Sequence, residues 1–336
     1  MSQLLSRVHA NAMLQWSKNR SDVVVLSGDL TKNTEADLFR NAYPERFFSM
    51  GLAEQNMLSV AGGMAREGLV PFVYTFAVFL YRRPFDQLQM SVAYPNLKVR
   101  LMGFLPGLST PGGVSHQAID DIAVMSAIPN MTVVAVGDAT EVESLLPAIE
   151  SVDGPVYISM MRGKVPRLFP QNEPMVLGQS RTLSSGKDIL VLSSGHATED
   201  AMRAVSALKN KGLDVGHIHV STLKPFVDPA VLNAIAQTKI GVITHENHLI
   251  RGGLGTSVAE LIAENGLSVP LKRIGLRDTY AHGGSHNYLK KHYAIDSMAL
   301  IRKVEAMLGV DTGITESDLD DVRVEVEHGA HKPEAL

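Results

Sequence analysis

Short runs of apolar residues, many of them β-branched, alternate along the chain with stretches of helical spacing. Residues 23–26, 47–50, 71–76, 99–104, 131–136 and 156–160 form such runs, each short and nearly continuous, as buried strands are. Between them, residues 54–67, 84–94 and 141–151 carry apolar positions three or four apart, the spacing of one helix face. Leu5, Val8, Ala12 and Trp16 repeat that spacing near the start. Apolar strands separated by helices predict a parallel sheet covered on both faces. Such sheets gather ligands at the carboxyl ends of their strands, so the residues just after each strand matter most.

The pattern lapses over a proline-containing stretch with Pro166, Pro170 and Pro174, and then resumes. A second αβ series follows: strands at 188–192, 215–220, 240–244 and 271–274, helices at 198–211 and 255–265, and a closing helix at 297–308. The expected fold class is therefore α/β, with two αβ domains built on mainly parallel sheets. The expected boundaries are a first domain over residues 1–165, a linker over 166–186, a second domain over 187–309 and an acidic polar tail over 310–336. That tail holds eight acidic and two basic residues and is expected to be loosely held.

Composition narrows the function classes. The 336 residues are 45% hydrophobic and 20% charged, with a formal net charge of −4. No basic block points to nucleic acid or an anionic membrane surface. The chain has no cysteine, which removes disulfides, cysteine-ligated zinc and thiol catalysis. Its longest apolar stretch, 69–81, is too short to span a bilayer, and the first residues lack a signal-peptide core. A soluble protein of the cytoplasm is expected.

Three stretches after strands offer chemistry. In Gly51-Leu52-Ala53-Glu54-Gln55-Asn56-Met57, Glu54 falls in the first turn of a helix, where the dipole alone would favour an acid. Ala61-Gly62-Gly63 further on suits close helix packing. Phe76 and Phe79 lie three apart at a strand end, able either to fill the core or to stack on a heteroaromatic ring. Arg82 and Arg83 follow, as a solvated helix start or as anion ligands; position alone does not decide. The third stretch is a glycine-rich loop, Gly107 to Gln117, ending in His116, a residue type suited to proton transfer or hydroxyl binding. Two other matches fail. His245-Glu246-Asn247-His248 spaces its histidines three apart, not the four of a zincin helix, and Gly253-Leu254-Gly255 lacks the third glycine of a dinucleotide fingerprint.

Taken in order, GLAEQNM, TFAVF with RRPFDQL, the loop ending SHQAIDDIA, IPNMTVV and GPVYISMMRGKVP resemble the second half of transketolases. The later THENHLIRGGLGTSVAE segment is similar to the C-terminal domain of that group and of deoxyxylulose-phosphate synthases. The resemblance implies a thiamine diphosphate pyrimidine-binding domain followed by a transketolase C-terminal domain. It implies that Glu54 hydrogen-bonds N1′ of the cofactor's aminopyrimidine and that Phe76 and Phe79 pack that ring. Asp29, in Ser-Gly-Asp-Leu, matches an acid near the cofactor, and His116 matches a histidine of the substrate channel. Arg162 is similar in place to an arginine that binds sugar phosphate. The implied reaction passes a two-carbon ketol unit from a ketose phosphate to an aldose phosphate.

Transketolases hold the diphosphate and its magnesium or other divalent metal through Gly-Asp-Gly and paired asparagines. Here Gly28-Asp29 continues with Leu30, and Gly137-Asp138 with Ala139, so no metal ligand is assigned to this chain. A separate diphosphate-binding N-terminal subunit is expected to complete the site, in an α2β2 heterotetramer. Four residues before the channel histidine, typical transketolases carry an aspartate; this chain has Gly112. The Tyr280-Ala281-His282-Gly283-Gly284 stretch also departs from the commoner pattern. Both departures suggest a branched or modified sugar, such as apulose 4-phosphate or a sulfosugar. Two rivals share the layout: the β subunit of a 2-oxo-acid dehydrogenase-type decarboxylase, and a non-catalytic scaffold subunit.

Overall fold

A computed structural model describes residues 3–322. Much of the acidic tail expected to be loosely held, residues 323–336, lies outside the described residues. The first domain is built on a seven-stranded sheet. Its spatial order runs Thr222–Lys224, Thr132–Ala135, Val156–Met160, Arg100–Phe104, Val70–Phe76, Val23–Ser27 and Phe47–Ser49. Six of these strands run parallel. Most are buried along their whole length, the outer Phe47–Ser49 being the exposed edge, which is why their sequences read as continuous apolar runs. The seventh, Thr222–Lys224, is antiparallel to Thr132–Ala135 and comes from the second half of the chain.

The second domain carries a five-stranded sheet in the order Leu271–Leu276, Gly241–Leu249, Ile189–Ser193, Val215–His219 and Arg181–Ser184. Four strands are parallel and the last is an antiparallel edge. That edge strand lies in the stretch read as linker. Its four residues are too few to show a period, and it is fixed by pairing rather than by its own pattern. The helix expected over 84–94 is likewise divided, with Phe85–Gln87 followed by a wider-wound turn at Leu88–Ala93. Helix Glu54–Arg66 presses on that turn through Gly62, where a Cβ would lie 2.3 Å from the Ser91 carbonyl oxygen. The close packing read from Ala61-Gly62-Gly63 thus falls on Gly62; Gly63 faces open space.

The motifs set aside in the sequence have structural uses. Glu246 is buried and accepts from the amides of Leu254 at 2.8 Å and Gly255 at 3.0 Å, satisfying the start of helix Leu254–Glu264. Gly253 must be glycine for this, because a Cβ there would meet Glu246 Oε2 at 2.0 Å. Asp138 caps helix Ala139–Glu150 through the Glu141 amide and also accepts from the amides of Leu168 and Phe169, each at 2.9 Å. Among the described residues, no three His, Asp or Glu side chains come together as a metal site, and no helix is long and apolar enough to cross a membrane.

A buried polar chain joins the two domains. Glu141, on a first-domain helix, bonds His219 Nε2 at 3.0 Å, and His219 Nδ1 bonds Thr198 Oγ1 at 2.7 Å. Thr198 meets Ser193, and Ser193 meets His217 Nε2 at 2.8 Å. Arg181 Nε adds a 3.3 Å contact to Glu141. Burial alone would raise the Glu141 carboxyl, but His219, the Gly137 amide and Arg181 together hold it below its ordinary value of 4.5. Burial pushes His217 down to about 3, so it stays neutral.

A carboxyl lowered on folding contributes stability that is full above its unfolded pKa and is lost as pH falls through the folded one. Glu141→Ala should therefore cost about 3 kcal/mol in urea unfolding at neutral pH, the scale of a broken buried pair. The gap to the native chain should close as pH drops below 4.5.

Candidate functional site

The carboxyl edge of the large sheet carries the residues singled out in the sequence. After strand Phe47–Ser49 the chain turns at Gly51, whose φ of 68° suits glycine, and enters helix Glu54–Arg66 at Glu54. The helix start favours an acid at this position, yet Glu54 is 4% exposed, far more buried than a dipole-stabilised surface acid needs to be. Its partner is Arg83, whose Nη1 donates to Glu54 Oε1 at 2.6 Å.

Phe76 ends strand Val70–Phe76, and Phe79 lies one helical turn on, in helix Ala77–Arg82. The turn brings the second ring back over the first, with centroids 6.1 Å apart and planes at 22°. Phe76 is buried and Phe79 half-buried, so the pair forms a wall with one accessible ring. His116 stands edge-on to Phe79 at 5.4 Å, and its Nδ1 meets Ser115 Oγ at 2.9 Å. Arg162 follows strand Val156–Met160; its guanidinium lies 5.6 Å from the Phe76 ring and donates to the Asn33 carbonyl at 3.1 Å. Asp29 is exposed, two residues past strand Val23–Ser27 on the same edge. Beside it, the Thr75 hydroxyl is buried with no hydrogen-bond partner, close to Gly28.

The paired arginines separate in space. Arg82 fastens the glycine-rich loop: it donates to the carbonyls of Val114 at 3.0 Å and Gln117 at 3.2 Å and to Asp120 at 3.0 Å. Arg83 turns the other way, to Glu54 and the face of Phe79, with its guanidinium carbon 4.0 Å from the ring centroid. Neither is simply solvated. Their division could not be read from two identical neighbours.

The second domain props the loop that presents His116. Gly107 lies against Asn247, where a Cβ would meet the Asn247 carbonyl oxygen at 2.1 Å. Asn247 Oδ1 accepts from the Leu108 amide at 3.2 Å, and His286 Nδ1 meets the Leu108 carbonyl at 2.9 Å. Gln117 reaches the carbonyl of His282 at 3.3 Å. These props went unrecognised in the sequence, being separated from the loop by more than a hundred residues. Gly112 packs directly on the histidine: a Cβ there would lie 2.8 Å from His116 Cβ. The imidazole therefore occupies space that a side chain at position 112 would contest.

The described geometry fits the pyrimidine end of thiamine diphosphate: a desolvated carboxylate beside a flat aromatic wall, with an unpartnered buried hydroxyl nearby. Comparison with known proteins points the same way. Residues 4–167 match the model of the transketolase pyrimidine binding domain, and residues 178–300 that of the transketolase C-terminal domain. An uncharacterized transketolase family protein of Sinorhizobium fredii is 38% identical over 302 residues, covering 89% of this chain and 87% of its own length. The 6-deoxy-6-sulfo-D-fructose transketolase subunit SqwH of a Clostridium species is 34% identical over 299 residues, covering 89% of this chain and 92% of its own. Among solved structures, a split gene transketolase described as an inactive β4 tetramer superposes with a TM-score of 0.82 at 33% identity, covering 90% of this chain and 98% of that one. The chain belongs to the transketolase family and carries its pyrimidine-binding and C-terminal domains.

Proposed function

We propose that this chain is the pyrimidine-binding subunit of a split transketolase, transferring a two-carbon ketol unit between sugar phosphates with thiamine diphosphate. The observation that carries the reading is the convergence of buried Glu54, the Phe76–Phe79 wall and His116 on one sheet edge. When bound, the cofactor supplies the electron sink that lets a carbon–carbon bond beside a ketose carbonyl break and re-form. Glu54 would hold the cofactor's aminopyrimidine by a hydrogen bond to N1′, from a carboxyl that is almost wholly withdrawn from water. Phe76 and Phe79 would pack that ring and keep water from it. His116, at the end of its propped loop, hydrogen-bonds the substrate oxygens and moves protons to and from them. Arg162, beside the Phe76 ring, would take the sugar phosphate, and Asp29, exposed on the same edge, would lie toward the cofactor.

The diphosphate and its divalent metal are assigned to a partner subunit in an α2β2 assembly. The Clostridium relative, itself a transketolase subunit, and the split gene of the solved neighbour support this division. So does apolar exposure on the segment leading to Glu54, where Leu52 is 70% exposed and Phe48 37%. For the substrate, Gly112 in place of the aspartate and its packing on His116 favour a modified or branched ketose, and the sulfosugar relative supports that class.

The purified chain with thiamine diphosphate and magnesium should give no turnover, and adding the diphosphate-binding subunit should restore ketose-dependent two-carbon transfer. Turnover by the chain alone would refute the split. In the complex, Glu54→Ala should cut kcat about a hundredfold or more while sedimentation shows the assembly intact; unaltered activity would favour a scaffold role. A screen of ketose phosphates and sulfonated ketoses should rank a modified or branched sugar above xylulose 5-phosphate, and ordinary efficiency with the latter would remove the case for specialisation.

A further inference from the structure

Arg83 sits where a ligand of Glu54 would have to sit. It engages both groups assigned to the aminopyrimidine, with a 2.6 Å hydrogen bond to the carboxylate and a 4.0 Å approach to the Phe79 ring. The two partners differ in freedom. The Glu54 side chain is 4% exposed and that of Arg83 44%, so the carboxylate is the fixed member and the guanidinium the movable one. The Arg83 backbone is tied down separately, since its carbonyl accepts from Gln55 Nε2 at 3.3 Å. The side chain can swing toward water without moving the helix end. Arg82 already fastens the glycine-rich loop, so that task does not require Arg83.

The chemistry of the two occupants is alike. A guanidinium is planar, positively charged and armed with in-plane N–H donors, and it stacks on aromatic faces. An aminopyrimidine protonated on its ring nitrogen presents the same features to a carboxylate: a flat π-face, an in-plane N–H and positive charge. We infer that, in the cofactor-free chain, Arg83 is a stand-in for the aminopyrimidine, keeping Glu54 paired until the ring displaces it. This inference rests on the reading of Glu54 as the ring's anchor. No bond is made or broken in the exchange: one charge-assisted hydrogen bond replaces another, and the guanidinium moves to solvent. The stand-in spares the isolated subunit a buried unpaired carboxylate and sets a threshold for cofactor capture.

Thiamine, which presents the pyrimidine without needing a diphosphate site, is the probe. Its affinity for the full-length chain is measured by titration calorimetry for the native protein, Arg83→Gln, Arg83→Lys, Glu54→Gln and the double variant Arg83→Gln/Glu54→Gln. Arg83→Gln should bind about fivefold more tightly or better, the scale of a partly exposed charge pair removed from competition. Arg83→Lys, a point charge without the planar fork, should fall between and keep its melting temperature within about 2 °C, whereas Arg83→Gln, which takes the cation from Glu54, should stay folded but melt a few degrees lower. Glu54→Gln should weaken binding and erase the gain in the double variant. Equal, weaker or undetectable binding by folded Arg83→Gln overturns the stand-in. If Glu54→Gln weakens binding all the same, only the stand-in fails; if Glu54→Gln changes nothing in either background, the anchoring role of Glu54 fails with it.

Discussion

A carboxylate taken out of water must be met by a cation or by hydrogen-bond donors, and that requirement organises the site. Glu54 is held nearly dry at the start of its helix, and one side chain, Arg83, answers it. The aromatic pair makes the surroundings poor in water, which strengthens whatever faces the carboxylate and raises the cost of leaving it alone. An ordinary helix-start acid would be solvated and would need none of this. The withdrawal of Glu54 from solvent goes beyond what a dipole effect requires.

The loop bearing His116 depends on the second domain. Asn247, His286 and the His282 carbonyl hold the loop from one side, and Arg82 holds it from the other. A loop fixed at several points on rigid elements keeps its histidine in place. The polar chain from Glu141 to His217 fixes how the two domains meet, so the props arrive in register.

Much of the fold was legible because its strands are buried on both faces and its helices carry a full apolar stripe. The closing helix Ser297–Leu308 is the clearest case, with a strong period and an Asp296 cap. Strand Gly241–Leu249 runs past the expected end at residue 244, because His245, Glu246 and His248 are polar in sequence but buried and bonded in place. The three-residue strand Thr222–Lys224 has no period to read, and its pairing partner lies in another domain. The order of the motifs singled out Glu54, Phe76, Phe79 and His116, and the structure sets them along one sheet edge. Arg83 was visible as a charge and not as a partner, since identical neighbours point apart only once the helix is folded.

That strand has a consequence for how the protein is made. The last parallel strand of the large sheet ends at Met160, but the edge at Thr132–Ala135 stays open until Thr222–Lys224 arrives. Until the chain extends past Lys224, that edge presents its amides and carbonyls with no strand to pair them. A sheet whose last strand comes from the later half ties the order of the sequence to the completion of the earlier domain.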